Sequence, residues 1–154
     1  MKYMIIGGVA GGASTAARLR RLDEQAEIIL FEKGEYISYA NCGLPYYIGG
    51  VIEERERLFV QTPESFKARF NIEVRIKSEV KAIEPENKQV VIKDWATGKT
   101  YRESFDKLVL SPGAEPVLPP WEGIRTEGIF TLRNVADTDR IKAWAGRQEV
   151  KKAV

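Results

Sequence analysis

Apolar and polar positions change period twice along the chain. Residues 2–6, Lys-Tyr-Met-Ile-Ile, form a short apolar run that stops at Gly7-Gly8, and Gly11-Gly12 opens a stretch rich in Ala, Leu and Arg that continues to about Asp23. That spacing predicts a strand, a glycine turn and a helix. Residues 27–32, Glu-Ile-Ile-Leu-Phe-Glu, are almost continuously apolar, as a parallel strand covered on both faces must be, and Lys33-Gly34 ends them. Strand, helix and parallel strand together make one βαβ unit.

Residues 41–48 suit a short helix with Pro45 in its first turn and Gly49-Gly50 at its end. Thr62-Pro63 marks a second helix start, Thr62 as N-cap and Pro63 at the first helical position, with Phe66 and Phe70 on one face. From Ile72 to Phe105 the period becomes two. Val74, Ile76, Val80 and Ile83, then Val90 and Ile92, then Tyr101 and Phe105 predict three antiparallel strands, with turns at Pro85-Glu86-Asn87 and Ala96-Thr97-Gly98. Leu108-Val109-Leu110 returns to a buried strand that ends at Ser111-Pro112-Gly113. Pro116, Pro119 and Pro120 mark an extended loop, residues 134–145 a last helix, and residues 150–154 the opening of another strand. The fold class expected is α/β, a central parallel sheet with an inserted three-stranded antiparallel meander.

Composition narrows the partners. With 44% apolar and 30% charged residues among 154, the chain reads as an ordinary soluble domain. Its 24 basic and 22 acidic residues carry no single-sign run, which speaks against nucleic acid or a membrane surface and for small molecules. No apolar stretch is long enough for a membrane span and the N-terminus has no cleavage signal, so a cytoplasmic location is expected. One cysteine and no histidine exclude a disulfide framework, a Ser-His or Cys-His couple, and a zinc site of the usual ligands.

Two constellations carry chemistry. Gly7-Gly8-Val9-Ala10-Gly11-Gly12 lies between strand and helix, where backbone N–H groups and the helix dipole can hold a pyrophosphate. Gly7 and Gly12 meet the G-x-G-x-x-G template, whereas Val9 stands at the middle glycine. Glu32, twenty residues past Gly12, supplies the acid that accepts both ribose hydroxyls of an adenosine and disfavours a 2′-phosphate. A lone glycine turn serves tight helix–strand packing about as often as phosphate binding; the acid in register favours the nucleotide. The unit alone leaves FAD and NAD open.

Cys42 sits in Ser38-Tyr39-Ala40-Asn41-Cys42-Gly43-Leu44-Pro45-Tyr46-Tyr47, at or near a helix start whose free N–H groups favour a thiolate. Ser38 and Asn41 offer a hydroxyl and an amide, and Gly43 leaves room for an approaching group. With no second cysteine, the oxidised form is a mixed disulfide, a persulfide or a sulfenic acid. Ser14, Arg18 and Arg21 share one face of the first helix, which is either a solvated basic face or a phosphate-binding one.

Gly-Gly-Val-Ala-Gly-Gly at 7–12, Phe31-Glu32-Lys33, the string from Ser38 to Tyr46, Leu110-Ser111-Pro112-Gly113-Ala114 and Thr131-Leu132-Arg133-Asn134 closely resemble the N-terminal part of coenzyme A-disulfide reductases, NADH oxidases and NADH-dependent persulfide reductases. These form the single-cysteine branch of the pyridine nucleotide-disulfide oxidoreductases. The resemblance spans the chain and implies a Rossmann-like FAD-binding domain. It implies FAD at Gly7, Gly8, Val9, Ala10, Gly11 and Gly12, at Glu32 and Lys33, at Val80 through its backbone, and at Ser111, Pro112, Gly113, Ala114 and Arg133. Cys42 is then the redox-active nucleophile, and Ser14, Arg18, Arg21, Ser38 and Asn41 line a coenzyme A site. One position departs, since Phe70 stands where those reductases have a lysine near the end of the second helix.

The activity so implied is NAD(P)H oxidation through FAD, with coenzyme A disulfide, a related persulfide or polysulfide, or dioxygen as acceptor. An isolated nucleotide-binding module without activity is the alternative; an NAD-linked dehydrogenase leaves the cysteine string unexplained. Residues 1–150 are expected to be an incomplete FAD-binding domain and residues 151–154 the start of an NAD(P)H-binding domain, the whole belonging to a homodimeric parent.

Overall fold

Strand β1 (Lys2–Ile6) pairs in parallel with β2 (Glu27–Phe31) on one side and β7 (Lys107–Leu110) on the other, and β3 (Glu73–Arg75) extends the sheet beyond β2. The order β3-β2-β1-β7 is that of a Rossmann-like parallel sheet. A second sheet is an antiparallel meander of β4 (Ser78–Glu84), β5 (Gln89–Asp94) and β6 (Thr100–Ser104). The computed structural model describes residues 1–147 and 149–152. Its contacts divide them into two units, Met1–Tyr39 with Phe59–Gly113, and Ala40–Leu58 with residues 114 onward.

Strand alternation explains the continuous apolar runs in the first unit. Ile5, Ile28 and Leu30 face helices α1 (Ala10–Leu22) and α3 (Pro63–Phe70), where they pack with Ala13, Ala16, Phe66 and Ile72. Met4, Ile29 and Phe31 face the meander and pack with Val90 and Ile92. All of these are almost fully buried, and each large one contributes about 1.5–3 kcal/mol of transfer free energy. The parallel sheet is therefore sandwiched between helices and meander, with no face left for polar residues.

The helix signals hold. α3 starts with a reciprocal capping box between Thr62 and Ser65, Pro63 follows the cap, and the rings of Phe66 and Phe70 meet edge-on at 5.2 Å. In the second unit, Asn41–Gly43 forms one 3₁₀ turn that runs directly into α2 (Leu44–Ile48), with Pro45 in its first turn. Helix α4 (Val135–Ala145) has its own capping box between Asn134 and Asp137. Residues 111–133 contain no helix or strand.

Two expectations are corrected. Val74 does not start the meander: β3 is parallel and hydrogen-bonds to β2, and the meander's three strands are β4, β5 and β6. The strand expected over residues 150–154 is absent at 150–152, and 153 and 154 lie outside the described residues. Among the described residues no helix is long and apolar enough to cross a membrane.

Candidate functional site

The glycine turn after β1 is built by backbone collisions that only hydrogen avoids. Gly7 has φ +97°, and a Cβ there would lie 2.0 Å from the carbonyl oxygen of Ser111. A Cβ on Gly12 would lie 1.7 Å from the Gly7 oxygen, so α1 can approach β1 this closely only with glycine at 12. These are the first and third glycine roles of a dinucleotide turn. Val9 occupies the N-cap, whose side chain makes no capping hydrogen bond, and the first turn of α1 contains no acidic residue. α3 and α4 by contrast both carry capping boxes. Among the described residues the N–H groups opening α1 thus have no side-chain acceptor, and they suit a phosphate.

Glu32 closes the cradle. One carboxylate oxygen accepts the N–H of Gly8 at 2.8 Å and the other that of Gly34 at 2.8 Å. A carboxylate has about four lone-pair sites, so acceptor capacity remains for hydroxyls. The carbonyl of Gly8 accepts the N–H of Ser38 at 2.9 Å, which draws Ser38 to the same turn in a left-handed conformation, φ +46°. A non-glycine residue held there is strained, and such strain concentrates at functional positions. The Ser111 N–H donates to the Ile6 carbonyl at 2.8 Å, which sets the 111–113 segment against Gly7. The first unit therefore brings Gly7 to Gly12, Glu32, Ser38 and Ser111 together. Lys33 is exposed beside Glu32.

Val80 is half-buried in β4, its side chain packed on the meander core. The register shifts between Val80 and Ala82, leaving Lys81 out of the ladder. A bulge of this kind frees backbone groups and is common near binding sites.

On α1, Ser14, Arg18 and Arg21 are all exposed, and neither Arg18 nor Arg21 has an ion-pair partner among the described residues. Arg20 differs. Its guanidinium donates to the carbonyls of Phe70, Glu24 and Asn71 at 2.8, 2.6 and 2.9 Å, tying the end of α1 to the end of α3. Phe70 is absorbed by the core, while Lys67 and Arg69 in the same last turn are exposed.

In the second unit, Cys42 and Asn41 are exposed on the 3₁₀ turn. Gly43 behind them is buried, and a Cβ there would press on Leu58, Ile52 and Ala40 at 3.2–3.4 Å. The turn is anchored by the Ala40 N–H on the Leu58 carbonyl at 2.8 Å and the Gly43 N–H on that of Ala40 at 2.9 Å. Helix α4 braces the segment. The Arg55 guanidinium donates to both carboxylate oxygens of Asp139, at 2.8 to 3.2 Å, and Lys142 donates to the Tyr47 carbonyl while its ammonium lies over the Tyr47 ring. Arg133 donates to the carbonyl of Ala114, and its own N–H donates to Asp137 at 2.9 Å. Sequence reasoning missed the Arg55–Asp139 pair and Lys142, since no spacing rule connects residues so far apart.

Comparisons with known proteins show the family. The family described as pyridine nucleotide-disulphide oxidoreductase matches residues 1–154. Coenzyme A disulfide reductase of Staphylococcus haemolyticus (strain JCSC1435) is 42% identical over 153 residues, 99% of this chain and 34% of that protein. The chain thus spans about a third of the length of that curated relative. Of solved structures, reduced Bacillus anthracis CoADR-RHD superposes with a TM-score of 0.92 at 59% identity, over 94% of this chain and 26% of that one. The NAD-dependent persulfide reductase from A. fulgidus does so at 0.88 and 37%, over 94% and 27%.

Proposed function

The chain belongs to the pyridine nucleotide-disulphide oxidoreductase family, and from that premise we propose that it carries the FAD cradle and the reacting thiol of an NAD(P)H-oxidising enzyme that reduces coenzyme A disulfide or a related persulfide or polysulfide. The observation that carries this reading is Cys42, the sole thiol, exposed on a turn whose backing glycine is locked into the core.

The residues present fit a dinucleotide. The uncapped start of α1 and the glycines at 7 and 12 suit its pyrophosphate, and Glu32, already oriented by two N–H groups, suits the adenosine ribose. Lys33, the backbone at Val80, and the segment Ser111 to Ala114 with Arg133 complete the assignment. When bound, FAD supplies two-electron transfer from the nicotinamide nucleotide to sulfur.

The protein's own step is nucleophilic. The Cys42 thiol gives up its proton and its sulfur attacks one sulfur of the substrate disulfide. A new disulfide bond forms between Cys42 and one coenzyme A, the old one breaks, and the second coenzyme A leaves as thiolate. Asn41 and Ser38 are the polar side chains assigned to orient the substrate, and Ser14, Arg18 and Arg21 are assigned to its phosphates.

This half-reaction is testable on the 154-residue chain. Coenzyme A disulfide should release one equivalent of coenzyme A and add one coenzyme A moiety to the protein mass, faster than glutathione disulfide adds glutathione. Cys42→Ser should abolish both. Equal rates with the two disulfides would remove coenzyme A from the proposal, and mass addition in Cys42→Ser would remove Cys42.

A further inference from the structure

The turn that carries Glu32 is fastened by a corner between the two sheets of the first unit. We propose that Lys77 is a positioning residue for the adenosine ribose, its left-handed backbone locking the turn at residues 32–34 to the end of the meander and so aiming the Glu32 carboxylate. This rests on the reading that Glu32 takes the ribose.

Three main-chain hydrogen bonds join the two segments. The Glu32 N–H donates to the Arg75 carbonyl at 3.0 Å, the Ser78 N–H to the Glu32 carbonyl at 2.9 Å, and the Lys77 N–H to the Gly34 carbonyl at 2.9 Å. Two successive N–H groups, those of 77 and 78, therefore serve the same short turn. Lys77 has φ +52°, a conformation that L side chains disfavour. The corner is held there from all sides. The Lys77 carbonyl accepts the Trp95 N–H at 2.8 Å, its ammonium pairs with Glu35 at 2.7 Å, and the buried Ser78 hydroxyl donates to the Ile76 carbonyl at 3.0 Å.

From there the path to the carboxylate is short. Gly34, whose carbonyl Lys77 holds, donates its own N–H to Glu32 Oε1, and a Cβ on Gly34 would lie only 3.2 Å from that oxygen. The hydrogen bond between them couples the position of Gly34 to that of the carboxylate. The line from the end of β5 through Trp95, Lys77 and Gly34 to Glu32 makes the meander a brace for a group in the parallel sheet.

The test compares Lys77→Gly and Lys77→Val. Both remove the ammonium, but glycine retains the left-handed backbone while a β-branched residue resists it. The readout is the affinity for ADP relative to 2′,3′-dideoxy-ADP, measured by titration calorimetry. The native chain and Lys77→Gly should prefer ADP by about tenfold or more, as expected for hydroxyls bound to a carboxylate. Lys77→Val should bring the ratio close to one. A general loosening would weaken both ligands equally and keep the ratio, and that result, or an unchanged ratio in Lys77→Val, overturns the proposal; so does loss of the ratio in Lys77→Gly. Glu32→Gln is the control: if it leaves the ratio intact, or if ADP does not bind the native chain, the ribose reading itself fails. Should Lys77→Val not fold, hydrogen exchange on the native chain decides, because ADP must protect the Lys77 and Ser78 amides more than the dideoxy analogue does. Equal protection overturns the proposal.

Discussion

The Glu32 carboxylate and the Gly8 amide meet at 2.8 Å, so the residue proposed for the ribose also fastens the glycine turn proposed for the pyrophosphate. Its second oxygen fastens Gly34. Glu32→Gln can replace only one of these two acceptors, because the amide nitrogen is a donor facing a donor. A hydrogen bond to a charged group contributes about 1.5–3 kcal/mol. The variant should lose stability by about that amount in urea titration as well as affinity for ADP, and unchanged stability would show that the turn is held by packing alone.

Gly12→Ala tests the helix–strand approach. The new methyl group would sit 1.7 Å from the Gly7 oxygen, a main-chain atom that cannot rotate away. α1 must then move off β1, at a cost of about 3 kcal/mol, and the start of α1 moves with it. We expect a lower urea midpoint and no measurable ADP binding. Gly50→Ala is the contrast, since no atom lies within 4 Å of its Cβ position; its φ of +81° leaves only the conformational strain.

Much of this was legible from sequence because the elements announce themselves locally. Lys2 to Ile6 and the run from Glu27 show their burial as continuous apolar residues, Thr62-Pro63 shows its cap, and the cradle shows its glycines. The boundary between the sheets was not legible. Val74, Ile76 and Val80 keep a period of two straight through the corner, and the residue that turns it is Lys77 rather than a glycine or proline. Direction was hidden as well, since a three-residue strand such as β3 looks the same whether its partner is parallel or antiparallel. The cysteine string was conspicuous in sequence, whereas the α4 side chains that brace it become visible only once the chain is folded.

Acid should loosen the first unit through Glu103. Burial raises its carboxyl, but the hydrogen bonds and charges of Lys2 and Arg75, at 2.6 and 2.8 Å, outweigh it and hold the group below its ordinary value of 4.5. A depressed folded value contributes stability that is complete above the unfolded value and lost as pH falls through the folded one. The urea midpoint should therefore be flat from neutrality down to about pH 5 and drop below about pH 4. Glu84 and Asp94 are also lowered, by hydrogen bonds to Arg102 and Thr97, but both are solvated and add little. Glu103→Gln should flatten the acid limb while lowering stability at pH 7; an unaltered limb would place the acid sensitivity elsewhere.

The three arginines of α1 differ in their surroundings within four residues, and only Arg20 is tied into the fold. Arg20 spends its donors on main-chain carbonyls of Glu24, Phe70 and Asn71, so Arg20→Ala leaves carbonyls unpaired and frees the end of α3. A loss of about 2 kcal/mol is expected. Arg18 and Arg21 are exposed, and replacing both by alanine should change stability by no more than about 0.5 kcal/mol. If they take the phosphates of coenzyme A, the double variant should bind coenzyme A about tenfold more weakly at low salt, and the difference should shrink as salt is raised. Titration of coenzyme A into the native chain, the Arg20 variant and the double variant checks this. Affinity that survives in the double variant would mean that the basic face of α1 is only solvated, and that Lys67 and Arg69, exposed on the last turn of α3, are the next cations to remove.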